Sequence, residues 1–168
     1  MTFQSTKTFG NERGLSCCFR QWRSTHSHCS TLHGYSIGVR VIIESETLDE
    51  RNWVFDFGAY GEFKQWLEHM FDHTVVVAKD DPHLQTFKEM ASFFSPLSQN
   101  PDSDIPHERG AIIDLRIVDN VGCEAFSKLA FDKMSQILQS YTKNPKCFVK
   151  SVEVFEHGAN SALYLGEK

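Results

Sequence analysis

Thr25–Val41, THSHCSTLHGYSIGVRV, is the stretch from which both the fold and the chemistry of this chain are read. It places His26, His28, Cys29 and His33 close together and then runs into an alternating segment. Imidazole and thiolate are the usual nitrogen and sulfur ligands of a zinc-like ion. A thiol beside a metal or an imidazolium also loses its proton readily and can act as nucleophile or base. The same residues equally describe an exposed His-rich loop with one incidental thiol. From His33 the period is two. His33, Tyr35, Ile37, Val39, Val41 and Ile43 share one face, and Gly34, Ser36, Gly38 and Arg40 the other. That pattern predicts a half-buried strand whose first core-facing residues are His33 and Tyr35.

On the N-terminal side, residues 2–9 alternate loosely enough for a first strand, and Asn11 to Gly14 has the composition of a turn. Leu15 to Trp22 reads as a short strand or part of a long loop, with Cys17 and Cys18 as buried small residues. On the C-terminal side, Trp53 to Phe57 reads as the second strand of a hairpin, with Asp56 as a cap for the helix that follows. Phe57, Tyr60, Phe63, Leu67, Met70 and Phe71 predict an amphipathic helix over 58–71. It ends at Asp72-His73. A carboxylate next to an imidazole is an acid/base pair only if the tertiary structure aims both at one substrate, and otherwise a surface pair at a helix end.

Val75 to Val77 is a brief apolar run, and Asp81-Pro82 opens a second helix through about Phe94. Residues 95–110 are rich in proline and turn-formers and read as a loop inside the domain. Ala111 to Val118 predicts a strand. Gly122 to Tyr141 is the clearest helix, with Lys133 laying its stem along the apolar stripe and Glu124 in the first turn, favourable to the helix dipole. Cys147 to Glu156 alternates as a strand, and Glu156 continues a buried valine face, where a carboxylate needs a partner. His157 to Asn160 is a turn, and Ser161 to Leu165 the last strand. The fold class expected is α+β: one domain over 1–168, an antiparallel sheet with two main helices on one face, and an insertion at about 78–110.

Composition narrows the function. A chain of 168 residues can bury a sizeable core, and 40% hydrophobic with 23% charged residues is ordinary for a globular protein. A net charge of −5 argues against a nucleic-acid partner. No apolar run reaches the roughly 20 residues that span a bilayer, so no membrane partner is expected. The N-terminal MTFQSTKTFG lacks the apolar stretch of a signal peptide, and five cysteines is an odd number for a disulfide scaffold. The expectation is a reduced, cytoplasmic protein.

With the residues placed, the chain resembles the family of 6-pyruvoyl- and 6-carboxy-tetrahydropterin synthases. Cys29-Ser-Thr-Leu-His33-Gly34-Tyr35 is similar to the family's Cys-x-x-x-His-Gly-His segment, and Trp53-Val-Phe-Asp56-Phe57 to its hydrophobic-Asp-Phe step. Phe71-Asp72-His73 resembles its Leu-Asp-His, and Gly122-Cys123-Glu124 its Thr-Ser-Glu helix opening. Glu156, eight residues before Tyr164, falls where the family carries its pterin-anchoring glutamate.

The resemblance implies the T-fold, or tunnelling fold, assembled as a ring, here a homohexamer of two trimers with pockets shared across interfaces. It implies a lyase acting on 7,8-dihydroneopterin triphosphate. The carboxy branch forms 6-carboxy-5,6,7,8-tetrahydropterin on the path to queuosine and other 7-deazapurines. The pyruvoyl branch, another pterin enzyme with an altered metal site, and a non-catalytic pterin- or metal-binding protein are the alternatives. Cys29 would be the proton-transfer thiol, Asp72 and His73 its relay, and Glu156 the pterin anchor, with Glu124 and His157 also in the substrate pocket. A zinc ion would be held by His33. The second histidine of the family's His-x-His is here Tyr35, so the remaining ligands would be His28 first, then His26, then Cys17.

Overall fold

The structure, a computed structural model, describes residues 1–92 and 112–166. Its frame is one long strand, β3 (His33–Ser45), whose Ile37, Val39, Val41 and Ile43 side chains are completely buried. Along one edge β3 pairs antiparallel with two strands in succession. β1 (Phe3–Phe9) takes residues 39–45, and β2 (Leu15–Phe19) takes residues 33–37. The chain turns between them at Gly10–Gly14, where Gly14 adopts φ 75° and Ser36 Oγ donates to Asn11 O at 3.0 Å. The other edge of β3 pairs antiparallel with β6 (Cys147–His157), which in turn pairs with β7 (Asn160–Leu165). Gly38 lets the sheet close tightly here, since a Cβ on it would lie 2.1 Å from the Phe155 ring.

Over residues 39–45 β3 is therefore paired on both edges, and this corrects the expected hairpin strand at Trp53–Phe57. That segment follows the C-terminal half of β3, where no edge is left to join. Phe55 instead packs edge-on to Tyr60 and Tyr141, at centroid distances of 5.1 and 6.1 Å. The Asp49 carboxylate ties the turn by accepting from the amides of Arg51 and Trp53, each at 2.8 Å. Asp56 caps as expected, its Oδ1 accepting from the Gly58 amide at 2.8 Å just ahead of α1 (Tyr60–Phe71).

A second correction concerns strand direction. The Val75–Val77 run belongs to β4 (Thr74–Ala78), which is buried along its whole length and runs parallel to both β2 and β5 (Leu115–Val118). A strand covered on both faces has no polar side, so it shows no alternation in the sequence. The sheet is thus mixed, in the order β5-β4-β2-β3-β6-β7 with β1 on β3. α1 and α3 (Cys123–Tyr141) cover one face, as expected, and Lys133 Nζ donates to Glu62 Oε1 at 2.9 Å to join them. The third helix, α2 (Leu84–Ser92), lies on the opposite face, where Phe87 packs with Val75 and Val77.

Of the stretch read as an insertion, residues 93–110 lie outside the described residues. Residues 78–92 are anchored by Asp81, only 5% exposed, which takes Arg20 in two contacts of 2.9 and 3.3 Å and the His83 amide at 2.8 Å. Replacing Asp81 with Ala leaves Arg20 half-buried without its counter-charge and should cost about 3 kcal/mol, measured by urea unfolding. Phe126→Ala removes the ring that meets both Phe19 and Phe71 at 5.0 and 5.1 Å. The same measurement should show a loss of about 3–5 kcal/mol.

Candidate active site

The first turn of β3 carries the site. His33 Nδ1 lies 2.6 Å from the Thr31 carbonyl, which can only accept, so Nδ1 bears the hydrogen. Nε2 is left with a lone pair, and the Tyr35 hydroxyl donates to it. The two rings are 4.7 Å apart. Tyr35 is held in turn by stacking on Phe19 at 4.4 Å, and Phe19 meets Phe126 of α3 edge-on. A tyrosine at this point is thus fixed by the core on one side and by an imidazole on the other.

Around Tyr35 gather Cys17, Cys29, Cys123 and Glu156. Burial, followed by the negative charge of Glu156 and of those three thiols when ionised, pushes the Tyr35 phenol up to about 12. Cys17 stands across from Tyr35 in the β2–β3 register, 2% exposed, and burial followed by the neighbouring Cys18 pushes its thiol up to about 12. The Cys123 thiol is pushed up to about 12 by burial first, then by the charge of Glu156 and its hydrogen bond to that carboxylate. The Glu156 partner anticipated from the valine face is therefore Cys123. Gly122, just before Cys123, takes φ 112° and leaves room for Gln21, whose Nε2 would lie 2.6 Å from a Cβ there. Cys29 sits in a single 3-10 turn over 28–30, its amide donating to Ser27 Oγ at 3.1 Å and its carbonyl accepting from the Gln21 amide at 2.7 Å.

Asp72 and His73 are bonded to each other but face elsewhere. Side chains alternate along β2, so Cys17 lies with Tyr35 while Cys18 lies on the far face. The pair opens there, in a broad depression shared with Cys18, His69, Asp114 and Arg116. The His73 ring is 80% exposed. Its backbone is in the left-handed region, φ 57°, unusual for a residue with a Cβ, and its amide donates to Ser16 O at 2.7 Å. Within one chain, then, Cys29 and the Asp72–His73 pair do not meet.

The remaining candidates disperse. Glu124 is exposed beside Cys123 in the first turn of α3. His157 serves its own hairpin, Nδ1 accepting from the Ala159 amide at 3.2 Å. His26 and His28 are exposed on the loop. Among the described residues no three His, Cys, Asp or Glu side chains gather as a metal would need. Zinc sites take at least three protein ligands. His26, His28 and His33 are not brought together, and His33 offers its lone pair to Tyr35, so the residues present do not fit the zinc site that the resemblance implies. Sequence reasoning passed over Cys123, yet its spacing from Phe126 and Ala130, at i, i+3 and i+7, extends the buried stripe of α3 back to it.

The chain is a mixed sheet backed by two helices, with thiols and a carboxylate set about a half-buried tyrosine. A sequence model described as 6-pyruvoyl tetrahydropterin synthase matches residues 10–167, and the chain belongs to that family. It is 23% identical to the 6-carboxy-5,6,7,8-tetrahydropterin synthase of Aquifex aeolicus (strain VF5), over 99% of this chain and all of the relative. Its fold is similar to that of an uncharacterised protein from Wolinella succinogenes, with a TM-score of 0.73, 21% identity and 99% of each chain covered. It is also similar to the 6-pyruvoyl tetrahydropterin synthase of Plasmodium vivax, with a TM-score of 0.63, 12% identity, and 98% and 97% of the two chains covered.

Two measurements check this geometry. The thiols of Cys17 and Cys123 ionise near 9.0 when unfolded and only at about 12 when folded. The folded state keeps protons that the unfolded state has lost, so this contribution is complete below about pH 9 and falls away as pH rises toward 12. Thermal melts should show Tm declining above pH 9, less so in a Cys123→Ala variant. At residue 73, His73→Gly should be more stable than His73→Ala by about 1 kcal/mol, because only glycine adopts a positive φ freely.

Proposed function

We propose that this protein is a lyase that converts 7,8-dihydroneopterin triphosphate and water to 6-carboxy-5,6,7,8-tetrahydropterin, releasing acetaldehyde and triphosphate and supplying the route to 7-deazapurines such as queuosine. The observation that carries the reading is the convergence of Cys29 and Glu156 on one tyrosine-lined site. The end-to-end match to a relative named for this activity supports the same branch.

In this reading the Glu156 carboxylate accepts paired hydrogen bonds from the guanidine-like edge of the pterin, the geometry a carboxylate suits best. That interaction fixes the ring and presents its side chain toward His33, Tyr35 and Cys29. Cys29, as thiolate, removes a proton from the side chain, and an imidazole polarised by a carboxylate returns one. Asp72 and His73 are such a pair, but they open on the opposite face of their own sheet. The site is therefore completed by the pair from a neighbouring copy. A ring, here a homohexamer, provides such a neighbour and also covers β5 and β7, which have one strand partner each among the described residues. No step is assigned to zinc, since the ligand set does not form.

No helix among the described residues is long and apolar enough to cross a membrane, and all five cysteines are free thiols, in keeping with a reducing compartment such as the cytoplasm. The Tyr35 substitution favours a second reading, a pterin enzyme of the same fold with different side-chain chemistry.

Purified protein given dihydroneopterin triphosphate should yield the 6-carboxy product by mass spectrometry. Cys29→Ala and His73→Ala should each abolish the yield. A mixture of the two variants, dissociated and reassembled, should recover part of it, because some pockets regain both an intact thiol and an intact relay. Recovery of nothing would place both groups in one chain's pocket or remove them from the reaction. Glu156→Gln should weaken pterin binding roughly 10- to 100-fold, the scale of a charge-assisted pair.

A further inference from the structure

We infer that the His33–Tyr35 pair stands where a metal would be, and that the site recognises a hydroxyl on the ligand's side chain through the Tyr35 oxygen rather than through zinc. The inference rests on the pterin reading above and makes its side-chain specificity explicit.

The hydrogen inventory carries it. The Thr31 carbonyl consumes the Nδ1 hydrogen of His33 and thereby sets the tautomer. This is also how a metal-bound histidine is oriented, by a carbonyl behind the ring. Here, however, the lone pair at Nε2 meets the Tyr35 hydroxyl. Tyr35 cannot swing clear without breaking its 4.4 Å stack on Phe19. Nor does the neighbouring strand supply alternative ligands. Opposite His33 stands Phe19, and opposite Tyr35 stands Cys17, buried among core side chains. A neutral phenol is a weak ligand for zinc, which takes thiolate, imidazole and carboxylate.

The chemical consequence is directional. A phenol has one hydrogen to give, and Tyr35 gives it to His33. What remains on the Tyr35 oxygen is acceptor capacity. The group that fits it is a donor, such as an alcohol, and a ketone at the same carbon would set two acceptors against each other. A zinc ion would behave in the opposite way and accept lone pairs from alcohol and ketone alike. The pair therefore turns an electrophilic position into one that selects for the hydroxyl-bearing side chain.

The experiment uses the full-length protein and two measurements. Zinc content is determined by elemental analysis after incubation with zinc and dialysis, for wild type, His33→Ala and Tyr35→His. Binding of 6-(1-hydroxyethyl)-7,8-dihydropterin and of 6-acetyl-7,8-dihydropterin, which differ only as alcohol and ketone, is followed by fluorescence with and without a chelator, for wild type and Tyr35→Phe. Wild type should hold essentially no zinc, and Tyr35→His, which supplies a second imidazole but no third ligand, should hold none either. The alcohol should bind about three- to tenfold more tightly than the ketone, the scale of one hydrogen bond. The chelator should change nothing, and Tyr35→Phe, which keeps the ring, should remove the preference. About one zinc per chain in wild type, lost in His33→Ala, would overturn the inference, as would equal affinity for the two probes. If neither probe binds, the pterin reading fails, and the zinc content of wild type beside His33→Ala still decides whether the His33–Tyr35 pair holds a metal.

Discussion

The pairing of β3 on both edges is the constraint from which the rest of this structure follows. A strand of thirteen residues is long enough to take two shorter strands end to end on one side and a strand of eleven on the other. Backbone amides and carbonyls in a buried sheet must be paired, and over residues 39–45 of β3 the partners on both sides are already β1 and β6. That excludes Trp53–Phe57 from the sheet and releases it to cap and pack around the start of α1. β4 enters beside β2 and runs parallel to it, antiparallel to β3.

The same pairing decides what faces what. β2 is the boundary between the antiparallel half of the sheet and the parallel half. Its alternate residues divide two chemical environments, Cys17 with Tyr35, Cys123 and Glu156 on the helix side, Cys18 with the Asp72–His73 pair on the other. Burial on the helix side holds Cys17 and Cys123 as neutral thiols, whereas the opposite depression is open and is lined by the Arg116–Asp114 ion pair. One sheet thus presents two half-sites back to back.

Much of this was legible from residue order. The alternation from His33 to Ile43, the helical stripes of α1 and α3, the capping role of Asp56 and the need of Glu156 for a partner all depend on local periodicity or on one residue's own chemistry, and the structure agrees with each. Where local pattern carried no information, the reading failed. A strand buried on both faces shows no alternation, so β4 read only as an apolar run. Cys123 was overlooked beside the more conspicuous Glu124, although it is Cys123 that faces the core and Glu124 that faces solvent.

By itself the sequence determined the α+β class and the extents of the main helices and of β3, because these follow from spacing along the chain. Only the tertiary structure decided their partners. It showed that Cys29 and Glu156 converge while Asp72 and His73 turn away, and that three histidines close in sequence do not share a centre. It also showed that the tyrosine beside one of them occupies its free nitrogen. Those outcomes depend on which strand edges are already filled and which way each side chain points from the pleat, and neither is a local property of the chain.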